Sequence, residues 1–162
     1  MELNNIEFTE KQRFTQWYVW IILLFVNSLM TYYLVKAIQL NENTAIWIVS
    51  IITAIIFIYT VFILSAKLKT TINKEGILLQ YPVLKDKFFS WDDISYVHFR
   101  KTSGITEFGG YGIWFGNKKS IIYLIKGNTG LQIELKNKNK ILIGTTKQKE
   151  MAEVLKELGK IN

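Results

Sequence analysis

Two apolar runs, Trp17 to Val35 and Ala45 to Ala66, constrain this chain more than any other feature of its sequence. No charged side chain lies between Arg13 and Lys36, and none between Glu42 and Lys67. Each run matches the roughly 20 residues that an α-helix needs to cross a bilayer core. A water-soluble helix of that length would carry a charged face at helical spacing, and neither run has one. On the insertion scale each central Leu, Ile, Phe or Val contributes about −0.3 to −0.6 kcal/mol, so each run sums to roughly −3 to −8 kcal/mol, unopposed by any charge. The first run is too long for the apolar part of a cleaved signal peptide, and the leader before it mixes acids with bases. Trp17, Tyr18 and Trp20 cluster at one end of it, Tyr32 and Tyr33 at the other, and Trp47 opens the second run. Such amphipathic rings belong at headgroup level.

Lys36 to Thr44 is too short to be a domain, so the sequence predicts an antiparallel hairpin with Asn43 or Thr44 capping its second helix. Lys11 and Arg13 precede the hairpin and Lys67, Lys69 and Lys74 follow it, against Lys36 alone between the runs. By the positive-inside rule both termini are expected in the cytoplasm. Asn27 is the strongly polar side chain of the first run, and counting inward from the connection puts it level with Thr53. An interhelical hydrogen bond from Asn27 near Thr53 and Ala54, of about 0.6 to 2 kcal/mol, is the expectation. Transport pathways are marked by ionisable residues within spans, and these spans carry no charged one.

The expected organisation is a polar N-terminal tail over residues 1–16, the two-span hairpin over 17–66, and one attached domain over 67–162. The roughly 95 residues after the hairpin suffice for one core and not two. Cysteine is absent and His98 is the single histidine, which excludes disulfides, thiolate metal sites and a histidine-only metal site. The formal charge of +7 is spread over dispersed lysines. It suits an anionic leaflet, and no helix-turn-helix, zinc-finger or RNP-type signature points to nucleic acid.

From Lys67 onward short alternating runs bounded by turn residues predict antiparallel strands. They fall at 67–72, 77–81, 87–91, 95–101, 113–115, 120–126, 131–136 and 141–145, with Pro82 ending one or placing it at an edge. The turn Asn73-Lys74-Glu75-Gly76 is expected to use a positive φ at its glycine. Thr102 to Gly112 holds four glycines and reads as an irregular loop. Met151, Val154, Leu155 and Leu158 then share one face of a helix over about 147–159, capped by Thr145 or Thr146, with Glu150 in its first turn and Gly159 at its end. The fold class is therefore α+β: a transmembrane helical hairpin plus an antiparallel β-sandwich or partly open barrel capped by a C-terminal amphipathic helix.

The succession Phe89-Ser90-Trp91-Asp92-Asp93-Ile94, Gly110-Tyr111-Gly112-Ile113, Gly127-Asn128-Thr129-Gly130-Leu131 and Ile143-Gly144-Thr145 resembles bacterial pleckstrin-homology-like (PH-like) membrane proteins, in which a helical hairpin commonly precedes the domain. The resemblance implies a PH-like fold at the bacterial inner (plasma) membrane, and no defined activity. Trp114 stands where that pattern would place a basic residue.

Gly109 to Gly116 lacks the strand-then-helix setting of a dinucleotide fingerprint. Asp92 and Asp93 are neighbours at a turn, where Asp caps locally, and His98 is expected on the wet face of its strand. No catalytic, cofactor or metal constellation follows from these residues, so an enzyme is not expected. Arg100, Lys101, Lys118 and Lys119 are the candidate contacts for anionic lipid or an acidic partner. The leading expectation is a non-enzymatic protein-interaction or assembly module held in the lipid bilayer, its partner another membrane protein or a second copy. The alternative is a sensor of anionic lipid headgroups.

Overall fold

The computed structural model describes residues 6–82, 84–116 and 120–161. The chain divides into two compact units, one spanning Phe14–Ala66 and the other joining the residues up to Arg13 with those from Lys67 onward.

The first unit is the helical hairpin, α1 (Trp17–Gln39) and α2 (Asn43–Ser65). Both are apolar along almost their whole length, yet these apolar stretches are only 6% and 0% buried. A core helix of a soluble protein hides such a surface; these helices expose it, as helices in contact with a lipid bilayer do. The connection is only Leu40 to Glu42, with Asn41 in the left-handed region at φ 53°. It is shorter than expected because Lys36 to Gln39 continue α1. The N-cap of α2 is Glu42, without a side-chain cap bond, so neither Asn43 nor Thr44 caps it.

Asn27 does reach across to α2, but to Thr60 and not to Thr53. Its Nδ2 donates to Thr60 Oγ1 at 2.9 Å and to Leu23 O at 2.7 Å. The Thr60 hydroxyl donates to Ile56 O, and Thr53 donates to Val49 O of its own helix. Helical side chains lean toward their own N-terminus. Counting from the observed helix ends, Gln39 and Asn43, puts Asn27 level with Ile55, and in an antiparallel pair the two leans converge, which carries its partner further toward the end of α2.

The second unit begins with a strand where a tail was expected. β1 (Ile6–Arg13) pairs antiparallel with β2 (Lys67–Asn73), from Phe8 opposite Ile72 to Arg13 opposite Lys67. The hairpin is thus inserted into a β1–β2 connection, and its two ends return to one strand pair. β3 (Gly76–Tyr81) and β4 (Leu84–Ser90) complete a four-stranded sheet in the order β1-β2-β3-β4. The β2–β3 turn is organised by Asn73, whose Oδ1 accepts from the amides of Glu75 and Gly76. Gly76 is needed for closeness and not for a positive φ: a Cβ there would lie 2.1 Å from Phe89 O.

The second sheet has five strands, β5 (Ile94–Lys101), β6 (Gly112–Gly116), β7 (Ser120–Leu124), β8 (Thr129–Leu135) and β9 (Lys140–Thr145), in the order β5-β8-β9-β7-β6. β7 and β9 run parallel, and the other neighbours antiparallel. Neither sheet closes into a barrel. Leu68, Ile72 and Ile77 from the first sheet, Leu131, Ile133 and Ile143 from the second, and Met151 and Leu155 of α4 (Gln148–Glu157) are fully buried and form the core. The N-cap of α4 is Lys147, whose amide donates to Thr145 Oγ1. Gly159 ends it at φ 65°.

β1 also ties the two sheets together. Glu10 is 3% exposed. It accepts from Thr145 Oγ1 at 2.6 Å, Thr146 N at 2.9 Å and Thr146 Oγ1 at 2.7 Å, while Gln12 Nε2 donates to Gly144 O. A carboxylate is buried stably only when its oxygens are met this fully.

Candidate functional site

Strand alternation gives the five-stranded sheet a second face, away from the core, carrying His98 and Arg100 of β5, Gln132 of β8, Leu142 of β9, Ile122 and Leu124 of β7, and Trp114 of β6. Ile122, Leu124 and Leu142 are buried there beneath Phe108 and Tyr111. Phe108 belongs to α3 (Gly104–Phe108), a short helix inside the stretch expected to be irregular. Ser103 caps it by accepting from Thr106 N, and Gly109 ends it at φ 74°, so serine and glycine here mark the two ends of a helix. Gly130 and Gly144 lie under this cluster, where a Cβ would come 2.6 Å from Leu142 and Leu124 respectively.

Beside the cluster the face opens into a hollow of about 450 Å³, with Ile122 and Leu142 on its floor and Phe108, Trp114, Gln132 and Arg100 around it. Arg100 is not a free cation. Its Nη1 lies 2.6 Å from Glu107 Oε1, and its Nε donates to Gln132 Oε1 at 3.2 Å. Partial burial acts to raise the Glu107 pKa, but the hydrogen bonds from Arg100 and Thr102 outweigh it and hold this carboxyl below its ordinary value. Across β8 and β9, the Lys140 ammonium likewise lowers Glu134.

Of the four candidate cations, Arg100 lines the hollow and is paired. Lys101 follows it on β5, exposed, and points to the opposite side of the strand. Lys118 and Lys119 lie outside the described residues. His98 is half-buried and stacks on Tyr96 at 5.2 Å. Asp92 and Asp93 form the turn between β4 and β5, where Asp93 N donates to Ser90 O and Asp93 O accepts from Lys136 N. Among the described residues no group of His, Cys, Asp or Glu is placed to hold a metal ion.

β6 forms one rim of the hollow and one edge of its sheet. Its sequence, Gly-Ile-Trp-Phe-Gly, has no charge, and Trp114 and Phe115 are 39% and 73% exposed. Edge strands left to water are ordinarily guarded by charge, Pro or a bulge. The glycines of this stretch suggest a phosphate loop, whereas its uncharged aromatic pair, Trp114 and Phe115, is the sequence signal of an open edge.

Taken together, the exposed apolar hairpin and the two-sheet domain define a class: an α+β protein with bilayer contact through two helices and a β domain interrupted by them. No protein-family model, curated protein or solved structure matches the chain.

Proposed function

We infer that the chain is a two-span inner-membrane protein whose PH-like β domain acts as a non-enzymatic interaction or assembly module, recruiting a protein segment to the β6 edge. The carrying observation is that uncharged aromatic edge beside an apolar hollow. An added strand would satisfy the open backbone groups of β6, and the hollow would take one of its side chains. Confinement at a bilayer raises the effective concentration of any neighbouring membrane partner. A photo-crosslinking residue at Phe115 in the full-length protein, in native membranes, tests this reading. One protein of constant mass should be captured there, not from an equivalent probe at Lys136, and capture should fall when Trp114 becomes Ala. Adducts with lipid alone, or equal capture at both positions, would overturn it.

The β domain faces the cytoplasm in this reading. The β1–β2 pairing, which joins the two ends of the hairpin, and the basic residues it carries support this orientation by the positive-inside rule. The cysteine-free chain makes the check direct. With an impermeant maleimide on intact cells, a cysteine at Asn43 should label and one at Asn137 should not; the reverse pattern would invert the orientation.

A further inference from the structure

The β1–β2 ladder places Lys11 opposite Lys69 and Arg13 opposite Lys67. Alternation turns these four side chains away from the buried Glu10, Gln12, Leu68 and Thr70, leaving Lys11, Arg13 and Lys67 exposed and Lys69 half-buried. Like charges directly opposed weaken a strand pair. The same domain shows the ordinary arrangement elsewhere, where Lys140 faces Glu134 across β8 and β9 and binds it at 2.5 Å. On β3, Gln80 comes next to Lys69, and it donates to Asp86 of β4. That acid is engaged by an amide. None of the ion pairs among the described residues involves any of the four cations. Among the described residues these two adjacent like-charged pairs form no ion pair, which leaves them open to a counter-charge from outside.

Chain length says where they lie. Arg13 stands four residues before Trp17, the start of α1, and Lys67 two residues after Ser65, the end of α2. At about 3.5 Å per residue at most about 14 Å and 7 Å of chain separate them from the helix ends, and because Arg13 is paired opposite Lys67 both side chains are within reach of the headgroup layer. Trp17, Tyr18 and Trp20 mark the same end of α1.

We propose that Lys11, Arg13, Lys67 and Lys69 form a binding site for the phosphate groups of anionic lipids in the leaflet entered by both ends of the hairpin. Arg13 offers a planar fork to phosphate oxygens, and the three lysines add point charges around it. The lipid supplies a counter-charge at these two like-charged pairs, so the stability of the domain follows the composition of the leaflet. This site is separate from the hollow and rests on the hairpin crossing the bilayer.

The test is thermal unfolding of the full-length protein in nonionic micelles, with dioctanoyl phosphatidylglycerol, dioctanoyl phosphatidylcholine or inorganic phosphate added. Phosphatidylglycerol should raise the unfolding temperature, the more so at low salt, and phosphatidylcholine should not. Changing Lys11, Arg13, Lys67 and Lys69 together to Gln should stabilise the lipid-free protein and abolish the response. Each single neutralisation should weaken apparent affinity about fivefold. Lys11→Glu, which gives Lys69 an opposite charge, should also stabilise the lipid-free protein and blunt the response. An unchanged response in the quadruple variant, an equal response to phosphatidylcholine, or a less stable lipid-free variant would overturn the site. Inorganic phosphate acting as strongly as phosphatidylglycerol would overturn the lipid as its occupant. Alkaline carbonate extraction from native membranes separates the two levels: release of the chain removes the hairpin reading, whereas retention with no lipid response removes only this site.

Discussion

β1 and the helices that follow it reverse each other's burial. In β1, Glu10 and Gln12 are 3% and 4% exposed, whereas on α2 Ile55 and Ile58 are 60% and 67% exposed. The rule beneath both is the same: a side chain sits where its surroundings can satisfy it. Glu10 is inside because three donors from Thr145 and Thr146 converge on it, and Ile55 is outside because hydrocarbon, not water, is the solvent it meets. Polarity read residue by residue gives the wrong answer in both places. The partner, whether protein donor or lipid, decides.

The largest effect is expected at Ile55. An Asp at a water-facing helical position would be almost harmless. Near the middle of a span it should cost about 3 to 4 kcal/mol of insertion free energy, combining the charge penalty with the lost Ile. A glycosylation-site insertion assay on α2 reads this directly. Near-normal insertion of Ile55→Asp would mean that this face of α2 meets water. The mirror experiment is Glu10→Ala, which strands the Thr146 amide and removes a charge-assisted acceptor. A loss of about 2 to 3 kcal/mol in denaturant unfolding of the β domain is expected, with early hydrogen exchange at the start of α4. Glu10→Gln should recover part of it, since an amide oxygen still accepts. A cost within 0.5 kcal/mol, the ordinary range for a surface site, would make β1 the tail that the sequence suggested.

What the sequence disclosed and what it hid follow from the same contrast. The spans were legible because a bilayer demands long uninterrupted apolar runs, and β2, β3, β7, β8 and β9 because their inward positions are mostly aliphatic. β1 alternates just as strictly, but its inward positions after Phe8 are Glu10 and Gln12, so an apolar/polar pattern could not register it. Its partner strand is also separated from it by the whole hairpin, and no local signal reports a pairing across such a gap. The hollow was hidden for a related reason. Arg100 and Glu107 looked like separate surface charges until α3, itself masked by its glycines, brought them together. The like-charged rows of β1 and β2 existed only once the register was known.

Asn27 and Thr60 sharpen the comparison on its finest scale, because here polar groups are satisfied inside the apolar hairpin. The Asn27 amide donates to both Leu23 O and Thr60 Oγ1, and the Thr60 hydroxyl donates to Ile56 O, so each of these donors has an acceptor. Bonds of this kind contribute about 0.6 to 2 kcal/mol, because the separated helices also find partners for their polar groups. A double-mutant cycle of Asn27→Leu with Thr60→Val, read by reversible unfolding in detergent, should show a coupling in that range. The same cycle with Thr53→Val should show none, because the Thr53 hydroxyl is committed to Val49 O of its own helix. Coupling to Thr53 and not to Thr60 would shift the helix pair by two turns and restore the level that simple counting assigns. Coupling to Thr60 would show that counting equal numbers of residues inward from the connection does not by itself set which residues of an antiparallel membrane hairpin meet.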